Sequence, residues 1–249
     1  DHTVIELFNE AVSRCDGLVN RTEPKRLKLL RTELLKNNLG GFIVPKSDEH
    51  QGEYIAKKSE RLWWLTGFSG SAGIAVVLLK TAAIFVDGRY TLQLETEVDP
   101  KFFYHKELSK LSPVDWTLSK ASTGLRIGFD PWLMTPDQIT FWNSKLEGTS
   151  IKLIPLRNNP IDQLWSQQPA PPISPIFPHS KKYAGKTSAQ KKTQLTKVLK
   201  TKNIGAIVLT QPDSICWLLN VRGSDIPFSP LVLSFAIFYT QGDLELFVD

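Results

Sequence analysis

Two β-rich runs, Ile74 to Leu79 and Ala82 to Val86, are separated only by Lys80-Thr81. Runs of branched and aromatic residues that close together read as one antiparallel hairpin, and a hairpin needs a sheet to join. The chain on either side supplies one. Before the hairpin come a helix from Glu23 to Lys36 and a strand-like Phe42-Ile43-Val44-Pro45. In that helix Thr22 is the expected N-cap, Pro24 suits the first turn, and Leu27, Leu30, Leu34 and Leu35 form the apolar stripe; Gly40 and Gly41 are expected to end it. A polar loop from Ser47 to Lys57 and a short helix from Glu60 to Leu65 follow. After the hairpin the pattern alternates: helix Tyr90 to Val98, strand Phe102 to His105, helix Pro113 to Lys120, strand Arg126 to Asp130, helix Pro136 to Lys145, strand Ile151 to Pro155. Strands alternating with helices, with one hairpin among them, imply a mixed sheet with helices on it.

Gln167 to Pro178 carries five prolines and reads as an extended connector. Beyond it a second unit begins as the first did. Helix Ser188 to Lys202 leads into strand Ala206 to Leu209, so that VLKTKNIGAIVL echoes LLKNNLGGFIV. A helix around Ser214 to Leu219, a strand from Leu231 to Tyr239, a turn at Gln241-Gly242-Asp243 and a strand from Leu244 to Val248 complete the pattern. The sequence stops on that fresh strand, which would leave an unfinished sheet edge. An extra helix is expected near the start, from Val4 to Arg14.

Charge narrows the partners. The formal net charge is +5, yet from Gln163 to Pro212 there are eight lysines and no Asp, Glu or Arg, which leaves 5 − 8 = −3 for the rest. The basic excess is therefore one local tract, expected to be a solvated helix face and its approach loop. No aromatic pattern among the lysines supports nucleic-acid binding. Cys15 and Cys216 are too few and too far apart for a disulfide framework or a zinc site, and read as reduced thiols of a cytoplasmic protein. The acids among the first apolar residues do not suit a signal peptide, and no apolar run approaches the roughly 20 residues that span a bilayer.

Five segments have residue types that carry chemistry. Gly67 to Gly73, GFSGSAG, lacks the ending of a phosphate loop, and Ser71 stands where a nucleophile elbow around Ser69 needs glycine. It also enters a strand rather than a helix, so a tight structural turn is expected. Asp87 and Asp99 flank a helical stretch and would stand at its opposite ends, while His2, His50, His105 and His179 are scattered without ligand spacing. No metal site follows from these residues. The polar loop Asp48 to Tyr54 follows a buried strand, a place where sites gather, although the residues alone favour a solvated loop. Asp87-Gly88-Arg89-Tyr90 closes a strand and opens a helix; Asp87 suits the cap, and Arg89 could grip a carboxylate or a peptide carbonyl. In Asn220 to Asp225, Arg222 and Asp225 flank a glycine turn and suggest an internal salt bridge.

Taken in order, IVPKSDEHQGEYIA, LTGFSGSAGIAVV, AAIFVDGRYTLQ, IGFDP and WLLNVRGSDIPFSPLVLSFAIF resemble the amino-terminal domains of Xaa-Pro aminopeptidases of the creatinase/prolidase group. The likeness runs from about Leu27 to Asp249. It implies two related creatinase N-terminal-like α/β domains with mixed β-sheets flanked by helices, the second incomplete, and no pita-bread catalytic domain. The implied bounds are residues 1–157 for domain I, with 1–20 an extra helix, 158–187 for a Pro-rich connector, and 188–249 for truncated domain II. The implied parent is a hydrolase that removes the first residue of peptides with proline second, using two divalent metals, manganese, in the absent catalytic domain. This chain is expected to bind no cofactor and to be inactive alone, with no catalytic or metal-ligating residue. It would instead shape the substrate cleft and subunit contacts. A metal-free regulatory module that reuses the fold is the other reading. The resemblance makes Glu53 and Arg89, and more weakly His50, substrate-binding positions on the cleft wall. It further implies a homodimer in the cytoplasm, with no nucleic-acid or membrane partner. Gly52 stands where relatives often carry serine.

Overall fold

The computed structural model describes residues 23–249. The Val4–Arg14 helix, the Thr22 cap, Cys15 and His2 fall outside the described residues. Two compact units emerge. One takes the chain up to Lys46 together with Arg61–Gln168; the other takes Ser47–Glu60 together with Pro169–Asp249. These units divide the chain differently from the linear bounds 1–157, 158–187 and 188–249. Residues 47–60 belong with the carboxyl-terminal stretch, and residues 158–168 belong with the first unit.

The first unit runs α1 (Glu23–Lys36), β1 (Gly41–Pro45), α2 (Arg61–Thr66), β2 (Gly73–Leu78), β3 (Ala82–Val86), α3 (Thr91–Glu97), β4 (Tyr104–Glu107), α4 (Pro113–Lys120), β5 (Arg126–Phe129), α5 (Pro136–Leu146), β6 (Lys152–Pro155) and α6 (Pro160–Leu164). Its sheet has six strands in the order β4-β3-β2-β1-β5-β6. β1, β2 and β3 pair antiparallel, while β4, β5 and β6 join parallel to their neighbours. The sheet is thus mixed, with both faces covered. Phe42, Val44, Val77 and Ile84 point to one core with residues of α1, α2, α3 and α6. Ile43, Val76, Phe85 and Ile127 alternate to the other, under α4 and α5. This two-residue alternation is the strand period at work, and each large apolar side chain so buried contributes roughly 1.5–3 kcal/mol.

Local chemistry sets the helix ends. Ser112 and Thr135 cap α4 and α5, each followed by proline in the first turn, and Thr135 forms a reciprocal capping box with Gln138. In α1 the buried stripe is Leu27, Leu30 and Leu34, whereas Leu35 is exposed. Asn38, not glycine, turns the chain after α1, at φ 54°. Gly40 and Gly41 serve close approach instead: a Cβ on Gly40 would lie 2.3 Å from Leu125 Cδ1, and one on Gly41 2.7 Å from Leu78 Cδ2. β4 starts two residues later than the apolar run suggested, because the Asp99 carbonyl accepts the amides of both Phe102 and Phe103 and holds them in a turn.

The second unit holds β7 (Phe177–Pro178), α7 (Lys181–Ala184), α8 (Ser188–Thr201), β8 (Ala206–Leu209), α9 (Pro212–Leu219), β9 (Val221–Arg222), β10 (Phe235–Tyr239) and β11 (Leu244–Phe247). β8 and β11 flank β10 in an antiparallel three-stranded sheet, and β7 pairs with β9. Leu199, Leu218 and Phe238 form its buried centre. The repeat seen in the sequence is a repeat in the backbone. Asn203 has φ 53°, as Asn38 has 54°, and the next residue's amide returns to the helix in both, Leu39 to Leu34 and Ile204 to Leu199. Each asparagine then delivers the chain into a strand.

Lys191 departs from the solvated face expected of the lysine tract. It is buried, and its Nζ donates to the Trp217 carbonyl (2.7 Å) and to Asn220 Oδ1 (2.5 Å) at the C-terminal end of α9. A cation at that end of a helix meets the negative pole of its dipole. The expected Arg222–Asp225 salt bridge is not formed. Asp225 gives its oxygens to the amides of Ser174 and Leu233, while Arg222 donates to the Val221 carbonyl. Leu231 to Ser234, expected as the start of a strand, is drawn into these contacts, with the Val232 amide on Cys216 Sγ. Cys216 is a buried free thiol, and burial pushes its ionisation up, as suits an inert sulfur.

Candidate functional site

In the first unit the GFSGSAG and DGRY segments meet through Tyr90. Its hydroxyl shares a 2.7 Å hydrogen bond with Ser71, and its ring meets Phe68 edge-on at 5.8 Å. A Cβ at Gly70 would stand 2.3 Å from Phe68 Cζ and 2.9 Å from Tyr90 Cδ1, so only glycine lets the turn close on these rings.

Arg89 is exposed at this turn. Asp87 caps a short 3₁₀ turn, Gly88–Tyr90, by accepting the Arg89 amide at 2.9 Å, and its carboxylate also takes the Arg89 guanidinium, with Nη2 at 2.7 Å. The hydrogen bond from that guanidinium holds the Asp87 carboxyl below its usual range. Arg89 also lies over the Tyr90 ring at 5.3 Å. The guanidinium is thus held at the surface by a carboxylate and a ring.

Ser69 is tied down rather than activated. Its hydroxyl and amide both donate to Glu97, at 2.6 and 2.8 Å, and Gln93 donates to its oxygen at 2.9 Å. This is a carboxylate clasp on a loop, with no imidazole among these partners, and it serves no serine-hydrolase triad. Burial lowers the His105 imidazole below the ordinary histidine range, and its Nε2 has no hydrogen-bond partner. Among the described residues no three His, Cys, Asp or Glu side chains gather to hold a metal ion.

The loop Asp48 to Tyr54 belongs to the second unit and is folded around Asp48. That carboxylate's Oδ1 accepts the amides of His50 (3.0 Å) and Gly52 (3.1 Å), while its carbonyl accepts the amide and side chain of Gln51. Asp48 Oδ2 is buried without a partner. A Cβ at Gly52 would lie 3.0 Å from the Tyr54 carbonyl oxygen, a tight approach, and 3.7 Å from both carboxylate oxygens of Asp48. His50 is buried: Nδ1 donates to the Thr210 carbonyl at 2.9 Å, and the ring stacks on Phe235 at 4.4 Å. Glu53 and Tyr54 are exposed. Of the three residues expected at a substrate, Arg89 and Glu53 lie at the surface, whereas the His50 ring is occupied as an anchor. Asp48 was missed as the loop's organiser, although an Asp two and four residues before the amides it accepts is an Asx-turn signal.

The six-stranded mixed sheet with these loops defines a creatinase/prolidase-type amino-terminal domain. The family model described as the creatinase/prolidase N-terminal domain matches residues 26–164, and a second of the same description matches residues 167–249. The chain belongs to this family. It is 35% identical over 227 residues to Xaa-Pro aminopeptidase 2 of Rattus norvegicus, covering 90% of this chain and 34% of the relative. Xaa-Pro aminopeptidase 2 of Homo sapiens is 35% identical over 228 residues, covering 90% of this chain and 33% of the relative. The crystal structure of X-prolyl aminopeptidase from Caenorhabditis elegans, described as a cytosolic enzyme with a di-nuclear active site, superposes with a TM-score of 0.87 at 29% identity, over 92% of this chain and 39% of that one. The chain therefore spans about a third of the length of the relatives it matches. No described helix is long and apolar enough to cross a membrane.

Proposed function

We propose that this chain is the non-catalytic amino-terminal part of a Xaa-Pro aminopeptidase, a cytoplasmic homodimer that releases the first residue from peptides with proline second. One observation carries the reading: a match to such enzymes that runs through both units, over 90% of this chain. In this reading two divalent ions, manganese, are held elsewhere in the longer polypeptide and supply the attacking hydroxide when bound. This chain's residues form part of the cleft wall. Arg89, held by Asp87, meets a peptide carbonyl or carboxylate, and Glu53 meets the amino end. The exposure of both side chains supports these roles.

The test compares the intact protein with the 249-residue segment on a tripeptide whose second residue is proline, with manganese added. The intact protein is expected to release the first residue and the segment to release none. Turnover by the segment above a no-enzyme control, or an intact protein that leaves the peptide whole, would overturn the reading.

A further inference from the structure

The start of α8 runs against a local electrostatic rule, although Lys191 is matched inside the fold and Lys200 sits in the last turn. Acids favour the first turn of a helix and cations the last. α8 has no acid in its first turn, and Lys181, Lys182 and Lys186 precede it. Three lysines elsewhere pair with carboxylates: Lys36 with Glu33, Lys110 with Glu107, Lys145 with Asp115. Among the described residues none of the outward lysines from Lys181 to Lys202 has an ion pair. Lys192, Lys197 and Lys200 fall on one arc of about 140° around α8 at 100° per residue, with Ala189, Thr193 and Thr196 between them. The apolar side of α8 is committed to the unit's own core through Leu195 and Leu199. What is left outward is a cationic strip of short and lysine side chains, roughly 20 Å long.

We propose that this strip, with the turn before it, docks on an anionic phospholipid surface. Clustered lysines are attracted to the negative surface potential of such a membrane. The contact is electrostatic and peripheral. Leu195 and Leu199 are committed to the fold, and the exposed Val198 lies off the lysine arc, so the contact needs no inserted or spanning helix. A polynucleotide suits the strip less well. Such sites combine a basic groove with stacked aromatic platforms, whereas here the large exposed rings Tyr183 and Trp217 stand beside Lys182 (5.7 Å) and Lys191 (4.5 Å), neither of which lies on the arc of Lys192, Lys197 and Lys200.

The experiment is co-sedimentation of the intact protein with phosphatidylcholine vesicles containing about 30% phosphatidylserine, against phosphatidylcholine alone, at about 50 and 500 mM salt. The protein is expected to bind the anionic vesicles at low salt only. The triple variant Lys192→Gln, Lys197→Gln, Lys200→Gln should partition at least about tenfold more weakly. Its melting temperature should fall only slightly, since none of the three ammonium groups has a hydrogen bond or ion pair among the described residues and only Lys200 sits in the last turn of α8. Absence of binding, equal binding to neutral vesicles, or a variant that binds as well as the parent would overturn the proposal. So would a duplex DNA that strips the protein from the vesicles at matched phosphate concentration, since it would assign the strip to nucleic acid.

Discussion

The carboxylate of Asp87 and the guanidinium of Arg89, two residues apart, form a side-chain pair with Nη2 2.7 Å from Oδ2, while the same carboxylate accepts the Arg89 amide. One aspartate therefore fixes both the backbone and the side chain of the arginine. The arginine's hydrogen bond keeps the Asp87 carboxyl below its ordinary value, so it binds fewer protons in the folded protein than in the unfolded chain. The pair is complete above the unfolded value of about 3.9 and is lost as pH falls through the lowered folded value. In Arg89→Ala the Asp87 midpoint should rise, read by carboxyl carbon NMR; an unmoved midpoint would refute the coupling. In the intact protein the same change should lower kcat/KM on a Xaa-Pro peptide about tenfold, the scale of one charge-assisted hydrogen bond. Unchanged kinetics would remove Arg89 from the proposed cleft.

Asp48 should tolerate asparagine and not alanine. Alanine leaves the His50 and Gly52 amides without their acceptor, at a cost of about 1–3 kcal/mol, whereas asparagine keeps that oxygen. Urea unfolding of the two variants checks this, and equal midpoints would mean that the loop does not depend on the Oδ1 acceptor.

Gly70→Ala should destabilise by about 1–3 kcal/mol, because its methyl would overlap the Phe68 ring. Gly148→Ala is the control: its site is open and only its φ of 74° opposes a side chain, so a loss of about 1 kcal/mol is expected. Thermal unfolding separates them, and a Gly70 variant as stable as the parent would show that the two rings can shift.

Lys191→Met keeps the bulk and removes the donors, leaving Asn220 Oδ1 without this partner and the Trp217 carbonyl with only the Asn220 amide at 3.4 Å; a cost of about 2 kcal/mol is expected. Lys192→Met, one residue along, should change stability by less than about 0.5 kcal/mol. Chemical unfolding of the pair tests whether position or charge matters, and equal stabilities would assign no structural role to Lys191.

Where neighbours in sequence are neighbours in space, the fold could be read early. The hairpin, the capped helices α4, α5 and α8, and the likeness between the starts of the two units all depend on spacings of a few residues. Lys191 could not be placed, because its acceptors lie 26 and 29 residues away on another helix. The Leu231–Ser234 stretch has a strand's composition, but Asp225 and Cys216 claim its amides. α6 was missed because five residues, Pro160–Leu164, are too few to show a helical period, although Asn159-Pro160 carries the cap signal. At the candidate site Arg89 and Glu53 were marked by motif. The burial of His50 was not legible, since Thr210 and Phe235, which occupy it, are far along the chain.

Residues 47–60 leave the first unit after β1 and return to it at α2, having contributed to the second. No single cut can therefore part the two units into whole halves. A protease or a gene fusion that severs the chain near Gln168 would leave the carboxyl-terminal piece without His50, and Phe235 without the ring that covers it. During synthesis that loop leaves the ribosome more than a hundred residues before its partners exist. It must wait for them, so a stretch made much later decides when this earlier loop becomes ordered.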